Sequence, residues 1–105
     1  MIARVTFAEL DSLRVSVVHA VERFEESVLP ELHARRGYEG AYVLATPEGK
    51  AVVITFWVDE EAAAEGIESG NYRAQVEKFA TLFRAAPERE TYEVEIAETP
   101  RVLVG

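Results

Sequence analysis

Arg4 and Thr6 stand two residues apart near the start of the chain, and Thr55 and Trp57 repeat that spacing in its middle. Residues two apart on a strand share a face, so each pair can present a polar donor beside a neighbour on one surface. Tyr42 and Tyr72 are candidates for the margin of the same surface. A few polar groups in an apolar, aromatic concavity is the composition of a small-molecule site. The same residues could simply be a plugged dimer core. An open pocket of about 300 Å³ or more would favour a site.

Other chemistry has less support. His19 projects away from the apolar stripe of its helix, beside Glu22, Arg23 and Glu26, the address of a solvated face. His33 falls at a helix end, where a positive charge suits the macrodipole. Ser12, Ser16, Ser27 and Ser69 lie in no strand-to-helix elbow with a histidine in reach. No histidine and carboxylate pair shows metal-ligand spacing, and no glycine-rich phosphate loop follows a strand. Cysteine is absent, which removes thiolate metal sites, disulfides and a cysteine nucleophile.

The elements that position these residues follow from hydrophobic period. Ile2 to Glu9 alternates as a strand, with Ala3, Val5 and Phe7 on one face and Ile2, Arg4, Thr6 and Ala8 on the other. Asp11 or Ser12 is expected to cap a helix whose stripe is Leu13, Val17, Val21, Phe24, Val28 and Leu32. Pro30 should kink it or restart it before it ends near Gly37. Tyr38 to Thr46 and Ala51 to Val58 read as a hairpin around Pro47-Glu48-Gly49-Lys50. Asp59 caps a helix that Ser69-Gly70-Asn71 interrupts, after which Tyr72, Val76, Phe79 and Phe83 share a face. Glu90 to Glu98 is the expected last strand, with Tyr92, Val94 and Ile96 inward.

The order is βαββαβ, an α+β ferredoxin-like fold: a four-stranded antiparallel sheet with both helices on one face. A length of 105 residues fits one domain, with 97–105 as a tail. The third strand is apolar on both sides, so the helix-free face would be wet in a monomer. A homodimer packed sheet against sheet removes that exposure, and the mixed surface of Arg4, Thr6, Thr55 and Trp57 is expected between the two sheets. Val102, Leu103 and Val104 in the tail could pair with a partner's edge.

Nineteen acidic against eleven basic residues give a net charge of -8, which opposes contact with nucleic acid or an anionic membrane surface. No stretch approaches the ~20 apolar residues of a membrane span, and with no secretory pattern at the start the expected location is the cytoplasm.

Taken with Ile2-Ala3-Arg4-Val5 at the start, Val28-Leu29-Pro30 late in the first helix, Gly37-Tyr38-Glu39-Gly40-Ala41-Tyr42 into the second strand, and Thr55-Phe56-Trp57 before Asp59-Glu60-Glu61, the chain resembles the antibiotic biosynthesis monooxygenase family of dimeric α+β barrels. The likeness spans about Ile2 to Ile96 and marks a fold more than a reaction. Haem-degrading members are characterised by an asparagine on the first strand and a tryptophan and haem-ligating histidine on the second helix. This chain has none of these at those places, so no haem, metal or other cofactor is expected. The cofactor-independent members imply monooxygenation of a small aromatic or quinol-type substrate, with Trp57 at the place of the family's tryptophan after the third strand. By that likeness Trp57 and Tyr42 would be the aromatic wall and Arg4, Thr6 and Thr55 the donors. The competing reading is a non-catalytic dimeric small-molecule-binding or scaffold domain.

Overall fold

The computed structural model describes residues 1–100. The tail residues Val102 to Val104, expected to pair with a partner's edge, lie outside them.

Strand β1 (Ile2–Glu9) runs antiparallel between β3 (Lys50–Trp57) and β4 (Glu88–Glu93), and β2 (Tyr38–Ala45) flanks β3, giving the sheet order β2-β3-β1-β4. Helices α1 (Val17–Ser27), α2 (Leu29–His33), α3 (Glu60–Glu68) and α4 (Asn71–Glu77), with a 3-10 turn at Ala80–Leu82, complete the βαββαβ ferredoxin-like order. Side chains of α2, α3 and the segment after α4 form one core with Ile2 and Trp57: Val28, Leu32, Ala62, Ala63 and Phe79. The helices therefore cover the sheet face that carries Ile2 and Trp57.

The first helix starts later than its apolar stripe suggests. The N–H groups of Leu10 and Asp11 donate to the carbonyls of Gly49 and Leu82, at 2.8 and 2.7 Å, which ties this segment to the hairpin turn and the 3-10 turn. Asp11 then closes a local turn, accepting from Leu13 N at 3.0 Å, and Ser16 caps the helix by accepting from His19 N at 3.2 Å. Leu13 is 95% exposed and leaves the core stripe. At the other end α1 breaks at Val28, and Pro30 sits in the first turn of α2, where its missing donor costs nothing.

Gly37 ends this region with φ of 77°, and a Cβ there would lie 2.5 Å from Ala62 Cβ and 2.7 Å from Val58 Cγ1. Asp59 caps α3 as read, accepting from Ala62 N at 2.8 Å, and Gly70 with φ of 81° separates α3 from α4. The last strand is Glu88–Glu93 rather than Glu90 to Glu98, because its partner β1 offers pairing only from Ile2 to Phe7. Val94 N makes one further bond to Met1 O, and Ile96 is 88% exposed.

The helix-free face carries Ala3, Val5 and Phe7 of β1, their neighbours Phe56, Ile54 and Val52 of β3, and Tyr42, Leu44 and Tyr92 from the flanking strands. Phe7, Tyr42, Leu44 and Tyr92 are each exposed by two fifths or more. Arg4, Thr6, Thr55 and Trp57 lie on the opposite face, beneath the helices. The expectation that they form an inter-sheet surface is thus corrected. The alternation of β1 and β3 was read rightly, but the face it points to is the one the helices cover. No helix among the described residues is long and apolar enough to cross a membrane.

Candidate functional site

The register of β1 on β3 sets Arg4 opposite Thr55, Ile2 opposite Trp57, and Thr6 opposite Val53. Trp57 is fully buried, and its indole Nε1 donates to Thr55 Oγ1 at 2.9 Å. That bond uses Thr55 as an acceptor and leaves its O–H as a donor. Tyr38 meets the edge of Trp57 with ring centroids 5.6 Å apart.

Arg4 is 3% exposed, with its guanidinium carbon 4.8 Å from the Trp57 ring centre and 5.0 Å from that of Tyr72. Cation–π contact with two rings gives partial compensation for lost hydration. Arg4 Nη1 donates to Ala63 O at 3.2 Å. Among the described residues its guanidinium forms no ion pair with a carboxylate. Burial lowers its pKa from the ordinary arginine range to about 10; Tyr72 raises it, while Arg89 and Arg35 lower it. The group is a cation at neutral pH, in an apolar surrounding, without a counter-ion among the described residues. Gly66 on α3 makes room for it, since a Cβ there would lie 3.3 Å from Arg4 Nη1.

The Tyr72 hydroxyl shares a 2.9 Å hydrogen bond with Thr6 Oγ1. Arg89, opposite Thr6 on β4, also lies over the Tyr72 ring at 4.9 Å. Two guanidiniums thus converge on one phenol ring.

Arg4, Thr6, Thr55 and Tyr72 line a cavity of about 110 Å³ between the sheet and helices α1 and α4. The rest of its wall is mainly apolar, with Val21 and Phe24 from α1 and Val76, Phe79 and Phe83 from the other side. Asn71 and Gln75 also belong to its lining, with their amide oxygens buried and without a hydrogen-bond partner among the described residues. Its volume is below the 300 Å³ or so that a drug-sized ligand occupies. Trp57 is not in its wall; it stands behind Arg4 and Thr55 and holds both.

Of the six candidate residues, the structure brings together Arg4, Thr6, Thr55, Trp57 and Tyr72, and separates Tyr42. Tyr42 is half exposed on the helix-free face, its ring edge-on to Phe56 at 5.9 Å. The cause is a register shift between Tyr38 and Gly40, where β2 carries one residue more than β3. That bulge reverses the alternation, so Tyr38 pairs with Trp57 while Tyr42 pairs with Ile54. His19 is exposed on α1, and the exposed His33 ring tilts against Tyr38 at 5.6 Å. Among the described residues no cluster of histidine and carboxylate groups could hold a metal ion. Asn71, Gln75 and Gly66 were not singled out from the sequence. Asn71 and Gln75 lie one position from Tyr72 and Val76 on the helix, and that adjacency was the available signal.

No family model matches the chain, and no curated protein matches it. Solved structures do. A protein of unknown function from Nitrosomonas europaea, NE2512, superposes with a TM-score of 0.73 at 22% identity, over 96% of this chain and 95% of that one. The monooxygenase ActVA-Orf6 of Streptomyces coelicolor, solved with nanaomycin D, gives 0.69 at 19% identity, over 95% and 92%. SnoaB, a cofactor-independent oxygenase from Streptomyces nogalater, gives 0.71 at 11% identity, over 91% and 94%. At these identities the likeness is one of architecture, and the chain has the fold of antibiotic biosynthesis monooxygenase-like proteins.

Proposed function

We propose that the chain binds a small phenolic molecule in the cavity beneath α1 and α4, with Arg4 holding its ionised oxygen, and oxygenates it without a cofactor. The observation that carries this reading is the buried Arg4 guanidinium, which pairs with no carboxylate among the described residues. Such a charge favours the anionic form of a bound phenol, and in a dry surrounding it acts with little screening. Among the described residues no histidine or carboxylate lines the cavity to act as base. Ionisation then rests on the field of Arg4 and on the donors Thr55 and Thr6 with Tyr72.

An ionised, electron-rich ring can itself reduce dioxygen. A ring C–H becomes C=O, one oxygen atom staying on the ring. The second oxygen atom leaves as water with the ring hydrogen and the phenolic hydrogen. The protein supplies a dry apolar cavity and preorganised donors. Trp57 acts through Arg4 and Thr55, as a positioning residue. The relatedness of fold to SnoaB and ActVA-Orf6 supports the reaction class.

The cavity volume of about 110 Å³ favours a second reading, a non-catalytic domain that binds a small aromatic molecule or serves as a scaffold. In either case the apolar helix-free face is expected to pack against a second copy of the chain. The deciding experiment incubates the protein with the dihydroxynaphthalene that oxygenation converts to juglone, under isotopically labelled dioxygen. Protein-dependent juglone carrying one labelled oxygen, lost in Arg4→Met, supports the enzyme. Binding with no juglone above the buffer rate supports the second reading.

A further inference from the structure

Two spaces meet at one side chain. Tyr72 lines the cavity that holds Arg4, and it also lines a surface groove of about 570 Å³ whose other walls are Arg73, Val76, Glu77, Pro87 and Arg89. Val76 shares both linings, but a branched side chain in mid-helix is held to one χ1 rotamer. Tyr72 is the second residue of α4, and Gly70 before it has a φ of 81°, so no preceding turn of the same helix crowds its rotamers. Among the described residues its hydroxyl has one partner, Thr6 Oγ1 at 2.9 Å. The exposed Arg89 guanidinium, itself part of the groove wall, lies 4.9 Å from the ring centre. A ring turned outward therefore stays beside a cation that it already touches.

The cavity, at about 110 Å³, is below the 300 Å³ or so of an ordinary ligand site, and the groove beside it has room to take a displaced ring. We propose that Tyr72 is a movable partition: a phenol too large for the cavity displaces the Tyr72 ring into the groove and occupies the cavity together with the space the ring leaves. Opening breaks the Thr6–Tyr72 hydrogen bond and the contact of the ring with Arg4. The ligand makes good both. Its ionised oxygen takes the place of the ring at Arg4, and the freed Thr6 hydroxyl donates to it. The Tyr72 hydroxyl is thus a latch that withholds the Thr6 donor until a ligand enters. A form that is open only part of the time lowers the apparent affinity by the open fraction, so loosening the latch tightens binding. The proposal rests on the phenol-binding reading of this cavity.

The test is calorimetry under nitrogen with the same dihydroxynaphthalene as probe. Tyr72→Phe keeps the ring and removes the latch, so it should bind this diol about threefold to tenfold more tightly than wild type, the factor of one hydrogen bond. In a Thr6→Val background, where the latch is already absent, Tyr72→Phe should change the affinity by less than about twofold. An affinity that Tyr72→Phe lowers or leaves unchanged overturns the partition, and so does a gain that persists in the Thr6→Val background; phenol binding stands in both cases. Should Tyr72→Phe fail to fold, Thr6→Val alone must raise the association rate of the diol by about threefold to tenfold, read by stopped-flow quenching of Trp57 emission, and an unchanged rate overturns the partition. Tighter binding by Tyr72→Phe without juglone formation leaves the partition in place and removes the oxygenation reading. Absence of diol binding at millimolar concentration overturns both.

Discussion

Replacing Arg4 by methionine separates a residue held for its charge from one held for its bonds. Its pKa falls from the ordinary arginine range in the unfolded chain to about 10 in the fold, which corresponds to about 3 kcal/mol against the charged native form. The unfolded chain binds more protons than the native one only from about pH 10 up to the ordinary arginine range. The penalty is therefore present in full below pH 10 and fades as pH rises through that value. Against it stand the bond to Ala63 O, about 1.5–3 kcal/mol, and two ring contacts of about 0.5–2 kcal/mol each. The opposing effects are of similar size, so Arg4→Met should change stability at pH 7 by less than about 2 kcal/mol. Affinity for the ionised diol should fall about 10- to 150-fold, the loss of one charge-assisted hydrogen bond. Urea unfolding followed by Trp57 emission gives the first quantity and calorimetry the second. A loss of more than about 3 kcal/mol in stability, with diol affinity within about twofold of wild type, would refute the reasoning and make Arg4 a structural strut.

Leu44, about half exposed on the helix-free face, should on change to Glu convert a light-scattering mass of two chains to one; a single-chain mass for wild type at micromolar concentration rules the dimer out. Gly66→Ala should push the Arg4 guanidinium aside by a few tenths of an ångström and weaken diol binding by about threefold to tenfold, with stability nearly unchanged; unaltered affinity would show that the position of Arg4 is not critical. Gly37→Ala combines a left-handed backbone with a clash on Ala62 and Val58, so urea unfolding should report a loss of about 2–4 kcal/mol. Trp57→Phe removes the donor to Thr55 and part of a fully buried ring, with an expected cost of about 2 kcal/mol and weakened diol binding through a displaced Arg4.

The sheet was largely legible in the sequence because alternation is a local property. Ile2 to Glu9 and the hairpin around Gly49 needed no tertiary information. Where two local signals competed, packing decided. Asp11 or Ser12 is the cap expected from the sequence, and the bonds from Leu10 and Asp11 to distant carbonyls hold that segment out of the helix, whose cap is Ser16. In the last strand Tyr92, Val94 and Ile96 alternate more convincingly than Glu88 and Glu90, but pairing length is set by β1. Tyr42 was misplaced for a subtler reason. A bulge of one residue at Glu39 has a weak signature, and it moves every later side chain of β2 to the other face. Arg4, Thr6, Thr55 and Trp57 were grouped correctly because each pair shares a strand. Asn71 and Gln75 of α4 line the same cavity only through the fold, which no linear pattern encodes.

The candidate site draws its groups from two kinds of support. Arg4, Thr6 and Thr55 project from the two central strands, whose backbone is paired on both sides. Asn71, Tyr72, Gln75 and Val76 all belong to the seven residues of α4, bounded by Gly70 and the 3-10 turn. Charge is thus lodged in the part of the molecule least free to change, and part of the cavity wall in a cassette of two helical turns. A descendant of this chain could acquire a new ligand by exchanging that cassette alone, keeping the floor on which any reaction would run.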